Sequence, residues 1–117
     1  MSGLSSDEEA ELSPGEVADL LARGEIQLID VREPYEHEAG HIAGARHLPL
    51  DRLAGKAEEI DRDTPVVFHC RLGVRSAMAT RAFRSAGWDA RNMAGGIANW
   101  HAQGLPLAPA GGVVADH

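Results

Sequence analysis

Cys70 is the chain's one cysteine, and it stands where the apolar run Val66-Val67-Phe68-His69 meets Arg71-Leu72-Gly73-Val74-Arg75-Ser76. Val66 to His69 has the make-up of a short buried strand, and Met78, Ala79, Ala82, Phe83 and Ala86 are spaced as one face of a helix. Cys70 is therefore expected at a strand-to-helix turn. In such a turn the loop amides and those of the first helical turn lack internal partners and form a site for negative charge. Positive potential from these amides, Arg71 and Arg75 favours thiolate over thiol, and the thiolate is the nucleophile. A lone cysteine is more often a small buried hydrophobe. Two features argue otherwise here. Cys70 to Arg84 holds Arg71, Arg75, Arg81 and Arg84 with no acid, in an otherwise acidic chain, and Gly73 lies mid-loop, where positive φ would curl the amides inward. Arg81 and Arg84 read better as the solvated face of the helix.

The loop Cys70-Arg71-Leu72-Gly73-Val74-Arg75 resembles the active-site loop of the rhodanese-like sulfurtransferase domains, Cys-Arg-x-Gly-x-Arg. The resemblance extends to Leu28-Ile29-Asp30-Val31-Arg32-Glu33, Gly40-His41-Ile42-Ala43-Gly44-Ala45 and Gly95-Gly96-Ile97-Ala98-Asn99-Trp100, followed by Gly104-Leu105-Pro106, in the family's order. It implies an α/β domain with a mainly parallel central sheet flanked by helices, the active-site loop joining a central strand to a helix. The loop from Cys70 to Arg75 resembles the sulfurtransferase version. Related phosphatases and arsenate reductases place one residue more between Cys and Arg, and position 76 here is Ser.

The chemistry so implied is double displacement. Cys70 attacks the outer sulfur of thiosulfate, or takes sulfur from another persulfide donor, and becomes a persulfide. Cyanide, a thiol or a protein thiolate then removes the sulfur. Arg71, Leu72, Gly73, Val74, Arg75 and Ser76 form the substrate and anion loop, with Leu72 and Val74 giving an apolar mouth. No metal and no organic cofactor is expected, and without a second cysteine release needs an external acceptor. A non-catalytic partner-binding module of the same fold is the alternative, against which the intact Cys70 and both loop arginines argue.

The elements that must position this loop follow from the rest of the chain. A length of 117 residues suits one domain. The reading divides it into a flexible acidic tail at 1–10, a domain at 11–107 and a flexible tail at 108–117. No apolar stretch approaches the roughly 20 residues that span a bilayer, and the acidic start lacks a secretory pattern, so the expected compartment is the cytoplasm, without membrane contact. Net charge is −7, with the bases concentrated near one loop, which suits a small anion rather than nucleic acid.

Ser13-Pro14-Gly15-Glu16 is a capping box that opens a helix ended by Gly24. Ile26 to Val31 reads as a buried strand, Ala45 to Leu48 as a short one, Pro49 to Ile60 as a helix, and Trp88 to Met93 as a weaker strand. Gly95-Gly96 turns into a helix at Ile97 to Gln103, with Trp100 in the core. Asp30 and Arg32, at a strand's carboxyl end, are expected to support the Cys70 loop without a chemical step, a role to which the resemblance tips them over a plain cap. His37-Glu38-Ala39-Gly40-His41 matches the zinc-helix pattern His-Glu-x-x-His, but Pro34, Gly40 and Gly44 deny it a sustained helix. It is read as structural instead.

Overall fold

The segments at 27–30, 66–69 and 90–93 become the three longest strands of a five-stranded, all-parallel sheet. The computed structural model describes residues 10–117. In chain order the elements are β1 (Glu11–Leu12), α1 (Pro14–Ala22), β2 (Gln27–Asp30), α2 (Pro34–Ala39), β3 (Arg46–His47), α3 (Leu50–Leu53), β4 (Val66–His69), α4 (Val74–Ser85), β5 (Ala90–Met93) and α5 (Gly96–Ala102). The sheet order is β1-β5-β4-β2-β3. β4 is central, with Phe68 beside Ile29 on one side and Asn92 on the other.

Strand alternation sends successive side chains to opposite faces, and both faces of a parallel sheet must be covered. Ile29, Val66 and Phe68 pack with Leu53, Ile60, Ala79 and Phe83, on the face roofed by α3 and α4. Leu28, Val67 and Met93 pack with Val17, Ile97 and Trp100, under α1 and α5. Trp100 is buried and its indole N–H donates to the Pro106 carbonyl at 2.8 Å, which fixes the chain leaving α5. The capping box of α1 is closed in both directions, Glu16 N–H to Ser13 Oγ at 3.1 Å and Ser13 N–H to Glu16 Oε1 at 3.0 Å.

Three sequence expectations change at their edges. The helix expected over 49–60 is α3 alone, continued as a 3-10 turn over Ala54–Glu59, because apolar residues at 50, 53, 57 and 60 fit either winding and Gly55 favours neither. β5 begins at Ala90, leaving Trp88 edge-on to Phe83 with ring centroids 4.9 Å apart and Arg62 over its face. α4 begins at Val74, inside the loop that follows Cys70.

The tail expected at 1–10 lies outside the described residues except for Ala10, which is buried and accepts from Asn92 N–H. Residues 108–117, expected to be flexible, make specific contacts. Ala108 and His41 exchange backbone bonds at 2.7 and 2.9 Å, Val113 N–H donates to Ala39 O at 2.9 Å, and Tyr35 OH donates to Asp116 O at 3.1 Å. The docking surface is the back of α2, about which the Pro, Gly and Ala of this segment carry no local signal. Among the described residues no helix is long and apolar enough to cross a membrane.

Candidate active site

Cys70 follows directly on β4, at the carboxyl end of the sheet, where a parallel sheet presents its ligand crevice. Its residue is 1% exposed, so the sulfur sits at the bottom of the loop. Three donors point at Sγ: Gly73 N–H at 3.1 Å, Ser76 N–H at 3.4 Å and Ser76 Oγ at 3.3 Å. Gly73 takes φ of +97°, the left-handed conformation that turns its amide inward.

The loop's outward-facing carbonyls are held from behind. Ile97 N–H donates to Cys70 O at 2.9 Å and Ala98 N–H to Arg71 O at 3.0 Å, so the first turn of α5 clamps the start of the loop. Asn92 Nδ2 donates to Gly73 O at 3.2 Å and to Glu11 Oε2 at 2.9 Å, tying the loop to β5. The clamp needs backbone contact at Gly96, where a Cβ would stand 2.4 Å from Arg71 O and 2.5 Å from Cys70 O.

A pocket of about 290 Å³ opens above the sulfur, lined by Cys70, Arg71, Leu72, Val74, Arg75 and His117. Leu72 and Val74 are 56% and 69% exposed, so the apolar mouth expected from the sequence faces outward. Of the loop residues named from the sequence, Gly73 and Ser76 therefore meet the sulfur and the other four line the mouth. Both arginines are already engaged. Arg75 donates from Nη1 and Nη2 to the two oxygens of Glu36 at 2.8 and 2.9 Å, and Arg71 Nη2 lies 3.2 Å from Asp116 Oδ1. Arg71 Nε is buried without a partner. Glu36 is buried, which by itself would raise its carboxyl. The Arg75 bonds, the Glu33 N–H contact and nearby positive charge outweigh burial and bring it below the ordinary range.

Asp30 and Arg32 do not reach the pocket lining; they are fully buried behind it. Arg32 donates from Nε and Nη2 to both Asp30 oxygens at 2.9 and 2.8 Å, and also to Glu36 O at 3.3 Å and Gly40 O at 2.8 Å. Arg32 thus grips α2 and its C-terminal cap, and α2 presents Glu36 to Arg75. The support runs through a helix rather than through the loop. Burial would raise the Asp30 carboxyl, but His69, Arg32 and His37 outweigh it and hold it well below the carboxylate range. His69 is pushed down, chiefly by complete burial, so it is neutral near pH 7 and Arg32 is the lasting partner of Asp30.

The histidines of His37-Glu38-Ala39-Gly40-His41 do not converge on a metal. Their rings stack at 4.1 Å with 12° between planes, and His47 stacks on the other face of His37 at 4.4 Å. His37 Nδ1 meets Asp30 Oδ2 at 3.0 Å and His41 Nδ1 meets His37 O at 2.9 Å. Glu33, Glu36 and His117 bring ligand atoms within 4.8 Å of one another, but both Glu36 oxygens belong to Arg75, so this group is not read as a metal centre.

Glu36, Asn92 and His117 were not named from the sequence. Asn92 had at most a weak signal, as a polar residue between Ala90 and Met93 of a strand. Glu36 and His117 had none, since each meets the site only through the tertiary fold.

A five-stranded parallel α/β sheet with a cysteine-bearing loop at its carboxyl edge defines the class, and comparison with known proteins narrows it. The family model described as Rhodanese-like domain matches residues 13–103, and the chain belongs to that family. A protein named Sulfurtransferase from Allochromatium vinosum is 37% identical over 89 residues, covering 74% of this chain and 83% of that one. The uncharacterized protein YqhL of Bacillus subtilis is 47% identical over 75 residues, 63% of this chain and 60% of its own. The crystal structure of a rhodanese-related protein from Thermoplasma volcanium, 28% identical, matches with a TM-score of 0.78 over 84% of this chain and 96% of that one. Several curated relatives are longer, and the chain spans 25% to 60% of their length.

Proposed function

We propose that this chain is a sulfurtransferase that carries a sulfane sulfur on Cys70. Membership of the rhodanese-like family and a relative named Sulfurtransferase support the reaction class. The observation that carries the reading is the cage of three donors around Sγ, built from a loop whose Cys70, Arg71 and Gly73 carbonyls are bonded elsewhere.

With thiosulfate as donor, the Cys70 thiolate attacks the outer sulfur. A new S–S bond forms, the bond to the sulfonate sulfur breaks, and sulfite leaves with that electron pair. The persulfide that remains carries negative charge on its outer sulfur, facing the pocket, while Gly73 and Ser76 continue to donate to Sγ. An acceptor such as cyanide, a thiol or a protein thiolate then attacks the outer sulfur. Its S–S bond to Cys70 breaks and the thiolate returns to the cage. A persulfide donor on a small thiol or a protein enters the same cycle with a thiolate, rather than sulfite, as leaving group. The donors on Sγ favour the thiolate before attack and meet the charge that develops on Sγ when the acceptor takes the outer sulfur.

Intact mass under non-reducing conditions, after incubation with thiosulfate and then cyanide, tests the cycle. The native chain should gain one sulfur atom, then lose it as thiocyanate appears, whereas Cys70→Ser should gain none and remain folded. A gain on the serine variant, or none on the native chain with thiosulfate, polysulfide and a protein persulfide alike, would overturn the reading.

A further inference from the structure

Exposed apolar side chains gather at the mouth of the Cys70 pocket. Among the described residues the large exposed hydrophobics are Tyr35, Leu72, Val74, Met78 and Val113, and three of the five fall between positions 72 and 78. Leu72 and Val74 line the pocket, and Met78, 53% exposed, stands one helical turn beyond Val74 on the same face of α4. The fold gains nothing from them there. A helix face turned to water ordinarily carries polar residues, and valine is one of the poorer helix formers. The same face then reaches Arg81, which is exposed and meets no carboxylate among the described residues. From Cys70 to Trp88 the chain has four arginines and no acid. The acids of the mouth, Glu33, Glu36 and Asp116, belong to the α2 side, so the basic flank is that of α4. Seven residues of helix put Arg81 about 10 Å from Val74. Neither thiosulfate nor cyanide, seated at the sulfur, is long enough to touch Met78 or Arg81.

We propose that the ridge formed by Leu72, Val74 and Met78 and ending on Arg81 is a docking surface for a partner protein that takes sulfur from Cys70. The partner presents its cysteine on a projecting segment, with apolar residues next to it and carboxylates about 10 Å further on. This rests on the reading of Cys70 as a sulfur carrier. Clustered exposed apolar side chains mark interaction surfaces, and Arg81 at the far end of this cluster selects an acidic complement. The buried sulfur sets the shape of what arrives. Cys70 is 1% exposed at the bottom of a pocket of about 290 Å³, which a side chain can enter and a flat surface cannot. In an extended segment, at roughly 3.3–3.6 Å per residue, the acid that meets Arg81 stands about three positions from the cysteine. The partner's thiolate attacks the outer sulfur of the Cys70 persulfide and forms a new S–S bond. The bond to Sγ breaks with its electron pair left on Cys70, and the partner departs as a persulfide.

Peptide acceptors test the surface. Cys70 is loaded with sulfur, freed of excess donor and mixed with an end-blocked peptide Cys-Leu-Val-Glu-Glu, or with one in which Lys-Lys replaces Glu-Glu or Ser-Ser replaces Leu-Val. Loss of one sulfur atom from the protein is followed by intact mass. Each peptide is compared across protein variants, so its own thiol reactivity cancels. Arg81→Glu should slow the acidic peptide about tenfold and speed the basic one, from reversal of a unit charge about 6 Å away in a water-like medium. Met78→Ser should slow both Leu-Val peptides about threefold and leave the Ser-Ser peptide unchanged. Discharge by cyanide should be equal in the native chain and both variants, which keeps a folding defect from imitating the effect. An acidic peptide that reacts equally with the native chain and Arg81→Glu, or Leu-Val peptides not slowed by Met78→Ser, would overturn the proposal. So would a dimer of the native chain that Met78→Ser returns to monomer, because a second copy would then be what covers the ridge. A native chain that takes up no sulfur from any donor sinks the sulfurtransferase reading and this one with it. A chain that loads and discharges to cyanide but whose variants treat the peptides alike sinks this proposal alone.

Discussion

Replacing Glu36 by Gln should separate what holds α2 in place from what binds anions. The carboxylate is buried and takes two bonds from Arg75, at 2.8 and 2.9 Å, across the gap between α2 and α4. Gln keeps the shape and one acceptor but removes the charge, and its amide nitrogen faces a guanidinium donor. Breaking a buried ion pair outright costs about 3–5 kcal/mol, and keeping one of two bonds recovers about 1 kcal/mol, so a loss of roughly 2–4 kcal/mol is expected. With an m-value of about 1.5 kcal/mol per molar, the urea midpoint should fall by about 1.3–2.7 M. The same change leaves Arg75 with an unbalanced charge at the pocket, so KM for thiosulfate should fall while kcat changes little. Glu33→Gln, exposed and one helical turn away, should change the stability by less than about 0.5 kcal/mol. A Glu36→Gln protein with an unchanged midpoint, or one that stays folded yet shows a raised KM, would refute the view that this pair both braces α2 and damps the positive charge of the mouth.

Two further outcomes follow from the same geometry. Gly96→Ala should destabilise by about 2–4 kcal/mol by thermal or urea unfolding, because the new methyl would meet Cys70 and Arg71 carbonyls at a φ of +64°. Gly24→Ala has a similar φ of +70° but open space, and should cost only about 1 kcal/mol; equal losses would show that the clamp is not tight. Stability should also decline as pH falls below about 6.5, since His69 is held below the ordinary histidine value and the unfolded chain takes the proton first, with a slope of up to about 1.4 kcal/mol per pH unit. Asp30 and Glu36, both lowered, add further loss as pH falls below about 4. A stability flat from pH 7 to pH 5 would mean that His69 is charged in the folded chain.

The parts legible in the sequence are those written in contiguous residues. The strand, turn and helix around Cys70, the capping box at Ser13 and the turn at Gly95-Gly96 each depend on neighbours within a few positions, and the structure has them all. Arg75 was placed at the site from its spacing, but its partner Glu36 lies 39 residues away, and no periodicity links a helix face to a loop across a sheet. The same holds for Asn92, 19 residues from the Gly73 carbonyl that it holds. The contacts of the segment at 108–117 with α2 have no local signal, because Pro, Gly and Ala suit an untethered coil as well as an irregular segment laid against a helix. Asp30 and Arg32 were placed in support of the site, but the route of that support, through the carbonyls of α2, depends on where a buried guanidinium points.

The order in which the sheet is assembled bears on when the thiol acquires its surroundings. β1 pairs with β5, so Glu11 must wait for Asn92, and the carbonyls of Cys70 and Arg71 wait for the amides of Ile97 and Ala98. A ribosome-bound chain that has extruded β4 and α4 alone has its cysteine but not the clamp that shapes the loop around it. Non-local closure of this kind comes late in folding, after the local helices. Gly73 and Ser76 lie within reach of the sulfur as soon as α4 forms, whereas the loop they belong to is locked only when β5 and α5 have been made and docked.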